Sequence, residues 1–382
     1  MLDRPLLSRD PHPQRVEGVA GLIAAGDDDG LAAALVDLAA ANHDVWCLDG
    51  AEARDAVRAL PDGRRHALIL RLVDRAAATA PPVRVDALLI EAAEGIGPDA
   101  LSWRAARHLS GIAAASETGL PGVLAALAQV AERETGAAPP ALLAVMRRTA
   151  QEYAKRWPAG LWAPIQPWLD RTAGTLNAGE PWAEAANAQA PAGDLLSHAL
   201  AASGAKPAPR WSSRAAQLTA DLGGEQCRAL VRGWLALVPS PRTIPLRPAG
   251  RRDPNEVPDP YNARALRGLL YLLAVTPPHP DDVPVVGRLA QYTAEKVPGH
   301  GPRSQMVAHA CVYALERFST VPALRELIRL RSLGQPPGIA NALAAAIARR
   351  SVALGVGPAP DHAPAMTRHI QIESSVSKPC RA

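Results

Sequence analysis

VPVVGRLA (283–290) returns thirty-eight residues later as VPALRELI (321–328). Both copies open on Val-Pro, with an aliphatic residue two places after the Pro and a Leu three places beyond that. Aliphatic positions three and four apart lie on one face of an α-helix. Pro is favoured in the first helical turn, where its missing N–H would have had no partner. A longer apolar stripe of the same period precedes each copy: Leu266, Leu269, Leu270 and Leu273 before the first, Val307, Cys311, Ala314, Leu315 and Phe318 before the second. The unit reads as a hairpin of two helices, the second opened by Pro. LPGVLAAL (120–127) carries the second-helix pattern once more, near the front. A spacing of 38 lies close to the roughly 40–47 residues of HEAT and armadillo units. A lone hairpin cannot bury its apolar face, so the expected architecture is all-α: a right-handed α-solenoid of stacked antiparallel helix hairpins, HEAT- or armadillo-like.

Composition points the same way. At 382 residues the chain is long for one core. Hydrophobic residues make up 48% but aromatics only 4%, and Phe318 is the single Phe, so Ala and Leu, both strong helix formers, carry the apolar content. No stretch alternates β-branched with polar residues as a half-buried strand would. The net charge is +4, yet Arg is spread from Arg4 to Arg381 and interleaved with Asp and Glu. A dedicated nucleic-acid surface would gather that charge. Cys47, Cys227, Cys311 and Cys380 lie far apart without a CxxC, the pattern of reduced thiols in a cytosolic protein. The opening MLDRPLLSRDPHP lacks the apolar stretch of a signal peptide. The longest apolar run, Gly268–Val275, falls far short of the ~18 residues that cross a bilayer. A cytoplasmic location without membrane contact is expected.

Pro and Gly divide the chain. Residues 1–174 read as an N-terminal helical-repeat lobe, with helices over 13–25, 31–41, 51–60, 64–79, 83–94, 98–116, 121–135, 139–156 and 160–173. Asp28 or Asp29 is placed to cap the second helix. Between Leu101 and Ile112, period 3.6 sets Leu101, Ala105, His108, Leu109 and Ile112 on one face, with Arg104 and Arg107 opposite. Residues 175–191 lose the periodicity and read as a linker or long loop. Further helices are expected in 192–238, over 192–203, 211–222 and 224–237. The seven prolines of 239–260 make a Pro/Arg-rich loop that ends the N-terminal two-thirds. Residues 261–355 read as C-terminal HEAT-like repeats, and 356–382, Pro-, Ser- and His-bearing, as a disordered tail.

Two pieces of the C-terminal third carry a family resemblance: YNARALRGLL (261–270) and GHGPRSQMVAHACVYAL (299–315). Across residues 255–355 the chain resembles the helical, HEAT-like region of the bacterial molybdate metabolism regulator-like proteins, whose function is unknown. The most specific piece is Gly-x-Gly-Pro-Arg-Ser opening a helix. The resemblance implies a helical repeat and brings no activity with it. The C-terminal domain of those longer proteins is expected to be missing here.

Few residues invite chemistry. Trp157, Trp162 and Trp168 fall within RWPAGLWAPIQPWLD (156–170), with Trp182 beyond. They read either as an aromatic, peptide-docking groove or as filling between Ala-rich helices. Arg242, Arg247, Arg251 and Arg252, with Arg264 and Arg267, form the densest basic stretch, diluted by Asp253, Glu256 and Asp259. Arg303, in the Gly301–Ser304 segment, is a candidate anion ligand at a helix start. His300 and His309 lack Glu or Cys at ligand spacing, and HExxH is absent. The Gly-x-Gly pairs at 95/97, 299/301 and 355/357 lack a third glycine, and no GxxxxGK[ST] occurs. Ser375-x-x-Lys378 has no companion motif. No catalytic residue, cofactor or metal is therefore expected. The expected function is that of a non-enzymatic, regulatory scaffold for an unknown protein partner, with Trp157, Trp162, Trp168, Arg251, Arg252 and Arg303 as candidate partner-binding residues. The alternative is a nucleic-acid-binding solenoid that uses the Arg242–Arg267 stretch.

Overall fold

The computed structural model describes residues 13–41, 51–78, 85–155, 158–189, 193–248 and 253–356. These are mostly helical, with almost no strand. The first half holds α1 (Pro13–Ala25), α2 (Asp28–Ala41), α3 (Ala51–Arg58), α4 (Asp62–Ala78), α5 (Asp86–Ala93), α6 (Trp103–Ala114), α7 (Pro121–Thr135) and α8 (Pro140–Tyr153). Three short helices follow: α9 (Gln166–Arg171), α10 (Pro181–Asn187) and α11 (Gly193–Leu200). The rest comprises α12 (Pro209–Asp221), α13 (Gly224–Leu237), α14 (Asn262–Val275), α15 (Asp282–Ala294), α16 (Gln305–Phe318), α17 (Val321–Ser332) and α18 (Pro337–Ala353). Between α15 and α16 lies an antiparallel pair of two-residue strands, β1 (Lys296–Val297) and β2 (Gly301–Pro302).

Local chemistry sets many of these ends. Pro121, Pro140, Pro181, Pro209 and Pro337 are the first residues of their helices, where no donor is lost. The hydroxyls of Ser102, Ser304 and Thr320 accept the N–H groups of Ala105, Val307 and Ala323 and so cap α6, α16 and α17. Gly136 closes α7 in the left-handed region, at φ 82°, with its N–H on the Glu132 carbonyl.

Packing follows chain order. In the front half α2 rests on α4, α4 on α6 and α6 on α8, while α1 touches α3 and α3 touches α5. In the rear half one row runs α11, α14, α16, α18 and a second runs α10, α13, α15, α17; across the rows α13 touches α14, α15 touches α16, α16 touches α17 and α17 touches α18. Two apolar cores result, one drawn from Val19 to Trp168 and the other from Leu176 to Ile347. Helix α14 meets α11, α12, α13 and α16 and is buried almost all round, well beyond its leucine stripe.

The Val-Pro repeat falls where expected: Pro284 and Pro322 lie in the first turns of α15 and α17. The two hairpins are unequal, however. Their first helices start 43 residues apart (262 and 305) and their second helices 39 apart (282 and 321), because the turn shrinks from residues 276–281 to residues 319–320.

Several boundaries differ from the sequence reading. Helix α2 starts at Asp28, and Asp27 caps it by accepting the Gly30 N–H at 2.8 Å. Asp28 and Asp29 instead pair with Arg64 (2.7 Å) and Arg71 (2.9 Å) of α4. Residues 160–173 are not one helix. Pro164 and Pro167 each remove a donor, and the segment breaks into two 3-10 turns and α9. The 175–191 segment contains α10, whose Trp182 is 1% exposed and which packs on α13. The helix placed at Gly301 starts at Gln305, because Gly301 and Pro302 form β2. On α6 the buried face is Ala105, Ala106, Leu109 and Ile112; Leu101 precedes the helix and His108 is exposed beside Arg104 and Arg107. Trp157, Arg251, Arg252, Cys47, Cys380, Ser375, Lys378 and the tail reading for 357–382 lie outside the described residues.

Candidate functional site

A heavily bonded polar cluster lies in the interior. Helix α8 carries Arg147 and Arg148 side by side, both buried. Arg148 Nη1 meets Asp259 Oδ2 at 2.9 Å, and its other donors reach the carbonyls of Glu117 (2.9 Å) and Ser116 (3.0 Å). Arg147 donates to Asn177 Oδ1 (3.1 Å) and the Thr172 carbonyl (3.0 Å), with its guanidinium 5.5 Å from the Tyr261 ring centre. Asn177 Nδ2 donates to Asp259 Oδ1 at 3.0 Å, and Asn262 Nδ2 donates to Glu180 Oε2 at 2.8 Å. Glu180 also accepts the Asp259 N–H (2.7 Å) and Trp182 Nε1–H (3.1 Å). Burial, and then the neighbouring Asp259 carboxylate, raise the pKa of Glu180; Arg242 and the donated hydrogen bonds oppose the rise.

This cluster ties α8, whose apolar residues belong to the first core, to Asn177, Glu180, Asp259 and Asn262 beside the second. A buried ion pair is weak evidence for net stability, but a satisfied one fixes how two elements meet. A second pair of this kind, Arg228 with Asp282 at 2.7 Å, joins α13 to α15, and Arg232 adds to the same carboxylate at 3.2 Å. Sequence reading missed both clusters. Their only local signal is charge in otherwise apolar stretches, MRRTA (146–150) and CRALVRGW (227–234).

The residues proposed from sequence are scattered. Trp168 is buried in the first core, donates Nε1–H to Glu132 at 2.8 Å and lies under the Arg171 guanidinium. Trp162 is half-buried against the same core. Trp182 belongs to the second core. Arg303 pairs with Glu256 (2.7 Å) and Glu295 (3.3 Å) and sits 4.8 Å over the Tyr292 ring centre. In the Arg242–Arg267 stretch, Arg242 faces Glu180 at 3.7 Å, Arg247 pairs with Asp86, and Arg264 and Arg267 bond the carbonyls of Leu200 and Ala202. Each described arginine of that stretch is thus engaged inside the molecule.

Among the described residues no group of three or more His, Cys, Asp or Glu is placed to hold a metal ion. Cys227 and Cys311 are free and buried, and burial pushes both thiols up, away from the reactive thiolate. No described helix is long and apolar enough to cross a membrane. The open concavities include one of about 490 Å³ where α8, α9 and α14 meet, lined by Arg147, Gln151, Tyr261 and Arg264. Another lies between α4 and α6. No family model, curated protein or solved structure matches the chain.

Proposed function

We propose that the chain is a non-enzymatic, cytoplasmic helical-repeat scaffold that binds another protein in a regulatory role. Residues 255–355 would be the HEAT-like part that resembles the molybdate metabolism regulator-like proteins. The observation that carries this reading is the packing order, in which helices meet chiefly others no more than three places along the chain. Contacts so local in sequence are what stacked hairpins produce. The buried ion pairs support it as well, because Arg148 with Asp259 and Arg228 with Asp282 close on each other inside the molecule.

The nucleic-acid reading ranks second, because the described arginines of the Arg242–Arg267 stretch already have internal partners. Affinity capture by the full chain from a native lysate, with and without nuclease, tests both. A stoichiometric protein partner that survives nuclease supports the scaffold. Loss of every captured species on nuclease treatment supports the nucleic-acid reading.

A further inference from the structure

The concavity between α4 and α6 has a volume of about 650 Å³. Leu70, Val73, Ile112 and the half-buried Trp103 give it an apolar floor. Arg104, Arg107, His108 and Arg247 stand around that floor, and no carboxylate lines it. A second concavity of about 460 Å³ adjoins it over α5 and the start of α7, and Ile112 and Arg247 line both. There Ile90, Leu120, Val123 and Leu124 are apolar, and Asp86, Glu91 and Glu117 are acidic. Arg247 forms the ridge between the two, held by its N–H on the Ala115 carbonyl at 2.7 Å and by its pair with Asp86.

The charges around this groove are unequally engaged. Arg104 pairs with Asp74, Arg247 with Asp86, and Glu91 with Arg58. Arg107 and His108 are exposed and have no hydrogen-bond or ion-pair partner among the described residues. The first chamber therefore offers open apolar surface beside an unengaged guanidinium. A phosphate backbone would suit that rim but would then run against the three carboxylates of the second chamber.

We propose that the groove docks an extended segment of a partner protein in which acidic residues adjoin large apolar side chains. The acidic residues meet the unengaged Arg107 guanidinium, whose planar fork matches a carboxylate. The apolar side chains cover Trp103, Leu70 and Val73 and continue past Arg247 onto Ile90 and Leu120. This deepens the scaffold reading and rests on it.

The test pans a random-peptide phage library over the full-length protein. Enriched sequences should combine Asp or Glu with Leu, Phe or Trp. The synthetic peptide of the strongest clone, followed by fluorescence anisotropy, should bind less tightly as salt rises. Arg107→Glu should weaken it at least about tenfold, the scale of one charge-assisted hydrogen bond lost. An unchanged melting temperature checks that this exposed substitution leaves the fold intact, and exchanging the peptide's acids for lysine should restore binding to the variant. Enrichment of basic sequences, no enrichment, indifference to Arg107→Glu, or displacement by single-stranded RNA would each overturn the proposal. A nuclease-resistant partner captured equally by wild type and Arg107→Glu would overturn the groove and leave the scaffold standing. Capture of no protein by either would remove the scaffold reading itself.

Discussion

Two buried residues show how close contact overrides local preference. Helix propensity alone favours Ala over Gly by about 1 kcal/mol in a helix interior. At Gly268, though, an added Cβ would lie 2.5 Å from the Cα of Ala199 and closer still to its carbonyl oxygen, and backbone cannot rotate away. Overpacking costs typically about 1–3 kcal/mol, so Gly268→Ala should lower the melting temperature; a rise would mean that α11 and α14 do not touch there. Glu180 makes a prediction in pH. Its raised pKa means that the folded protein holds the proton longer than the unfolded chain. Stability from this group is therefore full below the ordinary carboxylate value and is lost as pH climbs through the raised one. Glu180→Gln cannot ionise, so between about pH 4 and about pH 7 its melting temperature should gain on that of the wild type. A difference that stays constant would show that Glu180 titrates like a surface carboxylate.

Among elements, those with strong end signals were legible. Helices α7 and α13 occupy 121–135 and 224–237 as read from sequence, α7 because Pro121 starts it and Gly136 stops it. The short helices α9 and α10 were not legible. Helices of six and seven residues are marginal by propensity and exist here through packing, as Trp168 and Trp182 enter the two cores. The outward face of α6 was half legible: period 3.6 placed Arg104 and Arg107 outside but assigned His108 to the wrong side, because imidazole lies between polar and apolar. The buried ion pairs were beyond reach, since Arg148 and Asp259 are 111 residues apart and nothing local announces the partner. One cap is open to a direct test. Thr320 accepts the Ala323 N–H at 3.3 Å at the start of α17, so Thr320→Ala should cost about 0.5–2 kcal/mol by chemical denaturation. An unchanged midpoint would mean that water serves that donor equally well.

At the scale of the whole molecule, two cores meet through a polar joint, and this arrangement predicts where damage is felt. Phe318 is 2% exposed within the second core, alongside Val307, Cys311, Ala314 and Leu315. Phe318→Ala should cost about 3–5 kcal/mol. Arg148→Ala removes the guanidinium that faces Asp259, leaves that carboxylate unpaired in the interior, and should cost a comparable 3–5 kcal/mol, roughly. Equal costs need not have equal reach. In an array of stacked hairpins, stability is approximately a sum over adjacent units. Hydrogen exchange on Phe318→Ala should then show lost protection in α14–α18 while α1–α8 keep theirs. Arg148→Ala acts between the cores, so protection should fall first around 147–148, 177–182 and 259–262, and thermal unfolding should separate into two transitions. Uniform loss along the chain in both variants would mean one cooperative globule, and the repeat-array reading would fall with it.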